Sequence, residues 1–368
     1  MAKAKTAYVC NDCGAEYSKW QGQCGECNAW NTLSEVRLAS GKSPKQEPRG
    51  GYAGGGSALV TPLAKVSESE EQRTLIGIGE LDRVLGGGLV RGSVVLIGGD
   101  PGIGKSTLVL QALAALAGRS KTLYVTGEES LGQVAARARR LGLSLDAIDA
   151  LADTGIERIL DTAIAQKPDF LVIDSIQTMY SDQIESAPGS VSQVRESAAR
   201  LVRYAKEVGC AVFLIGHVTK EGGIAGPRVL EHMVDAVLYF EGEAGSRFRV
   251  LRAFKNRFGA VNELGVFAMG DKGLREVPNP SAIFLSNHGE PTPGSAIMVT
   301  REGTRPLLVE VQALVDQSPL ANPRRVALGL EQNRLAMLLA VLHKHGGFAL
   351  YDQDVFVNVV GGIRVQET

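Results

Sequence analysis

The decapeptide GGDPGIGKST (98–107) sets Gly99, Gly104, Lys105 and Ser106 in the spacing G-x4-G-K-S, directly between an apolar run and a helical pattern. Glycines let the backbone wrap a polyphosphate, whose charge is met by amide N–H groups and a helix N-terminus. In this Walker A pattern the lysine reaches the β- and γ-phosphates and the hydroxyl ligates Mg2+. Gly99, Asp100, Pro101, Gly102, Ile103, Gly104, Lys105, Ser106 and Thr107 are therefore the expected ATP-binding residues. A partner carboxylate should end another apolar strand, and FLVIDS (170–175) supplies Asp174 for water-mediated contact with Mg2+. Hydrolysis also needs a group that orients or deprotonates water. In YVTGEES (124–130), Glu128 and Glu129 follow an apolar strand expected beside the P-loop strand, at a switch point. Glu128 is the candidate for the attacking water, and Glu129 is expected to cap the next helix. His217, after VFLIG, is a further candidate for sensing the γ-phosphate from its strand end.

Four of the five cysteines, Cys10, Cys13, Cys24 and Cys27, form C-x2-C-x10-C-x2-C. Each knuckle presents two thiolates one tetrahedral edge apart, and two knuckles complete a Zn2+ site with no open position, hence structural rather than catalytic. Trp20 and Trp30 are expected to cover so small a module. Cys210 opens an apolar strand and reads as core packing.

FKNRFG (254–259) ends another strand-like run. Alternation puts Lys255 and Arg257 on one face and Asn256 on the other. Two adjacent cations require an opposing anion, and a solvated edge strand, a DNA-phosphate surface and a nucleotide all answer to that pattern.

The elements that must position these residues follow from pattern. Apolar runs at 93–99, 122–127, 169–175 and 210–216 read as buried parallel strands separated by helices. One of those helices, in SQVRESAARLVRYAKEVG, carries Val194, Ala198, Leu201, Val202, Ala205 and Val208 on one face. Alternation of β and α implies a doubly wound sheet, with hairpins following from about residue 235 and a third region of mixed strands and one helix from about Pro278. Residues 39–73 are rich in Gly, Pro, Ser and charge and read as a flexible linker. The expected order is a four-cysteine zinc module (1–38), a linker (39–73), an α/β ATPase domain (74–277) and a smaller domain (278–368).

Bulk composition constrains less. With 44% hydrophobic and 21% charged residues and a formal net charge of −1, the chain is ordinary globular protein, and a local basic groove remains compatible with the neutral total. No apolar run is long enough to span a bilayer, and MAKAKTAYVC has no apolar signal core, so the expected location is the cytoplasm.

The order of zinc knuckles, linker, GDPGIGKST, TGEES, LVIDS and KNRFG resembles the RecA-like ATPases, over essentially the whole chain, and in particular a bacterial DNA-repair branch of which KNRFG is a signature. The resemblance implies a RecA-like P-loop ATPase core and a DNA-dependent ATPase of the hexameric ring type, similar to the replicative DnaB helicases. It would process recombination intermediates by branch migration on single-stranded and branched DNA, alongside the RecA recombinase. It also implies that Lys255 and Arg257 reach from one subunit onto ATP held by its neighbour, where such an arginine is worth about 10^3 to 10^5 in rate. Phe258 and Gly259 would shape the strand end that aims them. Loops 177–193 and 218–231 would line a channel for single-stranded DNA, with Lys220 and Arg228 as candidate phosphate contacts and Tyr180 as the one aromatic suited to stacking. Residues from 278 resemble a Lon-protease-like α+β domain that stops at Thr368, short of the serine a Lon peptidase uses, and would serve assembly. A regulatory ATPase similar to KaiC, which shares the paired glutamates, is the alternative reading, and an ATP-dependent protease is a third.

Overall fold

Three short strands, β1 (Lys5–Cys10), β2 (Glu16–Tyr17) and β3 (Leu33–Leu38), form an antiparallel sheet in the order β2-β1-β3 at the amino end. The computed structural model describes residues 5–10, 13–38, 72–217, 227–242, 246–285, 292–362 and 365, and the chain divides into two units, Met1–Glu276 and Val277–Thr368. The core of the amino-terminal module is Cys10, Cys24 and Leu33, with Tyr8 and Tyr17 packed on it. Trp20 and Trp30 do not cover it as expected: they are 56% and 69% exposed. Sulfur and two tyrosine rings already fill so small a centre.

Residues 39–71, most of the expected linker, lie outside the described residues, but Arg73 is already in strand β4 (Arg73–Thr74), which pairs with β5 (Leu89–Val90) around helix α1 (Gly79–Val84). The α/β core follows as β6 (Val94–Gly99), α2 (Lys105–Leu116), β7 (Thr122–Thr126), α3 (Leu131–Arg140) and β8 (Ile148–Ala152). Next come α4 (Ile156–Gln166), β9 (Phe170–Asp174), α5 (Val191–Val208), β10 (Ala211–Ile215), α6 (Pro227–Glu231) and β11 (Ala236–Glu241). Strands β12 (Phe248–Asn256), β13 (Leu264–Gly270) and β14 (Gly273–Glu276) complete a nine-stranded sheet ordered β14-β13-β12-β11-β6-β10-β9-β7-β8.

All six residues of β6 are buried, which is why its sequence is apolar without alternation. Its faces nonetheless part company: Val95 and Ile97 join the core beneath α1, α2 and α3, while Val94 and Leu96 join the core beneath α4 and α5. The strands from β8 to β11 run parallel, and β12 reverses against β11. One expectation fails here. The strand before Glu128, β7, is not beside the P-loop strand, because β10 and β9 are inserted between them. On α5 the expected apolar face is buried except at Val208, which is 41% exposed where the helix runs out of sheet to cover.

The second unit holds β15 (Ser295–Glu302), β16 (Arg305–Gln317), β17 (Arg325–Leu328), α7 (Gln332–Gly346) and β18 (Gln353–Val359). Its sheet is ordered β15-β16-β18-β17 over a core of Phe284, Leu307, Val309, Val359 and Val365. The mixed strands and one helix expected from about Pro278 are β15 to β18 and α7.

One buried side chain ties the segment between β9 and α5 together at several points. Gln193, 1% exposed, donates through Nε2 to the carbonyls of Ser181 (3.2 Å), Ile184 (2.9 Å) and Ser186 (2.9 Å), and its Oε1 accepts from the Ser181 amide (2.8 Å). Gln193→Ala leaves those buried groups unpaired, at a cost of about 1–3 kcal/mol. The expected result is a lowered denaturation midpoint together with faster amide exchange across 181–190 and unchanged exchange in β6.

Candidate nucleotide and metal sites

Parallel strands end on the same rim of a sheet, so β6, β10, β9 and β7 deliver their following residues to one place. The P-loop follows β6, His217 lies two residues past β10, Asp174 closes β9, and Glu128 lies two residues past β7. Insertion of β10 beside β6 puts the histidine between the lysine and the glutamate. His217 Nδ1 is 3.4 Å from Lys105 Nζ, and its Nε2 is 3.2 Å from Glu128 Oε1. The structure thus brings together four of the residues singled out from separate stretches of sequence.

The P-loop turns through Gly102 (φ 75°) and Gly104 (φ 117°), the latter being the N-cap of the twelve-residue α2. A Cβ placed at Gly102 would meet nothing within 4 Å, so the loop leaves an open cradle next to a helix N-terminus, the surroundings that suit a polyphosphate. Lys105 begins that helix and is 4% exposed. Its ammonium donates to the carbonyls of Gly99 (2.7 Å) and Asp100 (2.9 Å). Burial holds the Lys105 pKa below its ordinary value, and the negative charges of Asp174, Glu128 and Asp100 oppose that shift. Ser106 is the next residue in the first turn of α2. Thr107 lines an open cavity of about 310 Å3 with Arg140, Leu141, Met269 and Asp271.

Asp174 is 8% exposed and its Oδ2 accepts a hydrogen bond from the Tyr124 hydroxyl. Glu128 accepts from the Ser175 hydroxyl as well as facing His217. The His217 contact, aided by Ser175 and by the positive charge of Lys105, holds the Glu128 carboxyl at about 2 against the opposing effect of burial. Glu129 is not the helix cap. Ser130 fills that place in a capping box with Gln133, and Glu129 pairs with Arg137 instead.

Lys255 and Arg257 are not at this rim. Register along the sheet pairs Phe240 with Gly99 at the P-loop end of β6, and pairs Ala236 with both Val95 and Asn256 at the other end. Lys255 therefore lies about three residues back from Gly99 along β6 and Arg257 about five, roughly 10 and 17 Å at the ordinary strand rise. Arg257 sits one residue beyond β12 rather than in strand alternation with Lys255. Lys255 Nζ donates to the carbonyls of Glu231 (2.6 Å) and Val234 (2.9 Å), and Arg257 Nη1 donates to Asp235 Oδ1 at 3.3 Å. Asn256 is buried, donating to the Val84 carbonyl and accepting from the Phe258 amide. Gly259 packs against Gly86, where an added Cβ would lie 2.9 Å from the Gly86 Cα. Lys220, and the side chain of Arg228 in α6, lie outside the described residues.

Sequence reading overlooked Tyr124, Ser175 and Asp235. A polar tip in an otherwise apolar strand was a usable signal for Tyr124. Nothing local distinguishes Asp235 from any acid that opens a strand.

In the amino-terminal module, the Sγ atoms of Cys10, Cys13, Cys24 and Cys27 all lie within 4.8 Å of one another. Zinc–thiolate bonds of about 2.3 Å imply a sulfur–sulfur edge of about 3.8 Å. The observed separations across the knuckles, 3.6 Å for Cys10–Cys27 and 3.4 Å for Cys13–Cys24, fit that tetrahedron. The Cys27 amide and the Tyr17 hydroxyl hold the Cys24 thiol at about 6, so one ligand is already inclined to the thiolate form at neutral pH.

Family models match the segments that carry both sites. A family described as an AAA domain matches residues 64–223, and one described as a rubredoxin metal binding domain matches residues 8–35. The chain is 66% identical over 368 residues to the DNA repair protein RadA of Pseudomonas aeruginosa, covering 100% of this chain and 81% of that protein. It is 62% identical over 371 residues to the DNA repair protein RadA of Escherichia coli, with 81% of that protein covered, and 50% identical over 373 residues to that of Bacillus subtilis, with 80% covered. The core is thus an ATPase domain that takes ATP with Mg2+, and the four cysteines take Zn2+. Among the described residues, no helix is long and apolar enough to cross a membrane.

The Glu128 pKa yields a directional test. Because its folded value lies below the ordinary 4.5, the stabilisation it provides is complete above pH 4.5 and is lost as pH falls through about 2. Replacing His217 by Ala removes the largest cause, so carbon-13 titration of the Glu128 carboxyl should move upward toward 4.5; a titration left near 2 would contradict the pairing.

Proposed function

The chain belongs to the family of DNA repair proteins named RadA, and from that premise we propose that it is a DNA-dependent ATPase working as a ring motor on single-stranded or branched DNA. Its task in this reading is to process recombination intermediates by branch migration in the cytoplasm, in company with a RecA-type recombinase. The observation that carries the proposal is the placement of two sets of cationic groups on opposite rims of one sheet. Lys105 serves the P-loop of its own subunit, whereas Arg257 is displaced toward the far end of β6 and points the chemistry to a second copy.

Within one subunit, Lys105 exchanges the carbonyls of Gly99 and Asp100 for the β- and γ-phosphates of ATP. Ser106 and Asp174 are the residues that would hold Mg2+, which supplies neutralisation of charge on the phosphates. Tyr124 fixes one oxygen of Asp174 and thereby its orientation. Glu128, with a carboxyl held far below neutral pH, is a poor proton acceptor and a good orienting group for the attacking water. His217 touches both Lys105 and Glu128, so it is placed to register whether the lysine is engaged. The cavity beside Thr107 suits the nucleoside end of the same ligand.

Across the boundary, Lys255 and Arg257 meet the phosphates bound by the neighbouring subunit, in an assembly we take to be a hexamer. Residues 1–38 form the zinc module, the linker from 39 ends before Arg73 of β4, and the ATPase domain runs from there to 277. Residues 278–368 form a Lon-protease-like scaffold that serves assembly. Loops 177–193 and 218–231, with Lys220 and Arg228, are the proposed path for DNA phosphates.

Turnover of ATP should rise with added single-stranded DNA, and that stimulation should shrink between low and moderate salt as phosphate contacts are screened. Arg257→Ala should retain nucleotide binding within about twofold while losing about 10^3 or more in turnover. An ATPase indifferent to DNA at both salt concentrations would favour a KaiC-like regulatory role instead.

A further inference from the structure

Asp235 stands just ahead of β11 and is 2% exposed, yet it is the meeting point of three other residues. Its Oδ2 accepts from the Val94 amide at 3.0 Å and from Lys206 Nζ at 2.6 Å, and its Oδ1 accepts from Arg257 Nη1 at 3.3 Å. Its own amide donates to the Val94 carbonyl (3.0 Å), and its own carbonyl accepts from the Arg257 amide (3.0 Å). The first residue of the P-loop strand, a lysine of α5 and the arginine of the KNRFG stretch are thus all tied to one residue. Lys206 extends the cluster further, lying 5.9 Å from the centroid of the Phe258 ring.

A carboxylate this deeply buried is costly unless charge and hydrogen bonds compensate it, and here both oxygens are engaged. Arg257 is held differently from Lys206. Its side chain is 55% exposed, and a single donor at 3.3 Å faces the acid. That is the arrangement of a tethered cation, restrained in direction while much of its planar, five-donor guanidinium stays accessible for another anion. A bulk-solvated arginine would sample many rotamers and lose more entropy on reaching a phosphate.

We infer that Asp235 is the positioning residue for Arg257, aiming its guanidinium out of the subunit from an anchor shared with the first residue of the P-loop strand. The inference rests on the reading that Arg257 serves the ATP of a neighbouring subunit. It adds a physical link between successive sites: the strand that ends in one P-loop begins at the anchor of the arginine offered to the next.

Subunit mixing tests this on the full chain. Asp235→Asn alone leaves Lys206 facing a neutral amide, so the working variant is Asp235→Asn combined with Lys206→Met, with Asp235→Asn as the comparison. Turnover should fall about tenfold with nucleotide binding and KM within twofold. Mixing with Lys105→Ala subunits should restore activity above the average of the two separate proteins, because the defect lies only in the outgoing cation. Adding Arg257→Ala to the variant should cost no more than Arg257→Ala alone. Undiminished turnover, weakened nucleotide binding in place of slowed turnover, or losses that multiply with Arg257→Ala would each overturn the assignment. If Arg257→Ala is itself not rescued by Lys105→Ala subunits, the neighbour reading fails. The non-additivity between positions 235 and 257 then still decides whether Asp235 positions Arg257 within its own subunit.

Discussion

The reversal of chain direction between β11 and β12 governs how this molecule can do chemistry. Six parallel strands gather Lys105, Glu128, Asp174 and His217 at their carboxy ends, on one rim. The hairpin that follows carries the chain back along the sheet and leaves Lys255 and Arg257 at the far rim. Strand β6 spans the distance between them with every residue buried and a packed core on each face. No side-chain rotation moves Arg257 along such a strand to the P-loop of the same subunit. Under the proposed function, the phosphate it meets is held by a second copy.

Charge at the P-loop rim is balanced among few groups. Lys105 is buried enough that desolvation disfavours its charged form, and three carboxylates offset that effect. Its ammonium rests on two loop carbonyls, acceptors that a phosphate can replace without leaving an ion unpaired. Glu128 gains its low pKa from His217 and Ser175, contributed by two different strand ends. The site therefore depends on strand order as much as on the motifs themselves, since β10 must separate β6 from β9 for the histidine to lie between lysine and glutamate.

Much of this was legible in the linear chain because it is local. The P-loop, the cysteine knuckles and the strands that lead to Asp174 and His217 are short segments whose residue types dictate their geometry, and the boundaries of β6, β7, β9 and β10 fall within a residue or so of the expected ones. The position of β7 was not legible, because strand order is a choice among long-range pairings that periodicity does not encode. The anion opposite Lys255 and Arg257 was likewise out of reach. Within the subunit Arg257 faces Asp235, about twenty residues upstream and brought near by antiparallel pairing, while Lys255 rests on the carbonyls of Glu231 and Val234. The cap of α3 is legible in the chain, since S-x-x-Q at 130–133 is a capping box, although the glutamate before it has the same chemistry to offer. Trp20 and Trp30 illustrate the opposite error, since large aromatic residues invite burial that a four-sulfur centre leaves no room for.

ATP turnover per subunit, followed through dilution while mass photometry reports the assembled fraction, bears on the proposed division of labour between rims most directly. With the two halves of the chemistry on separate subunits, specific activity falls in step with the assembled fraction and vanishes in the monomer. A dispersed monomer that hydrolyses ATP at the full rate would show that Arg257 is not needed across the boundary.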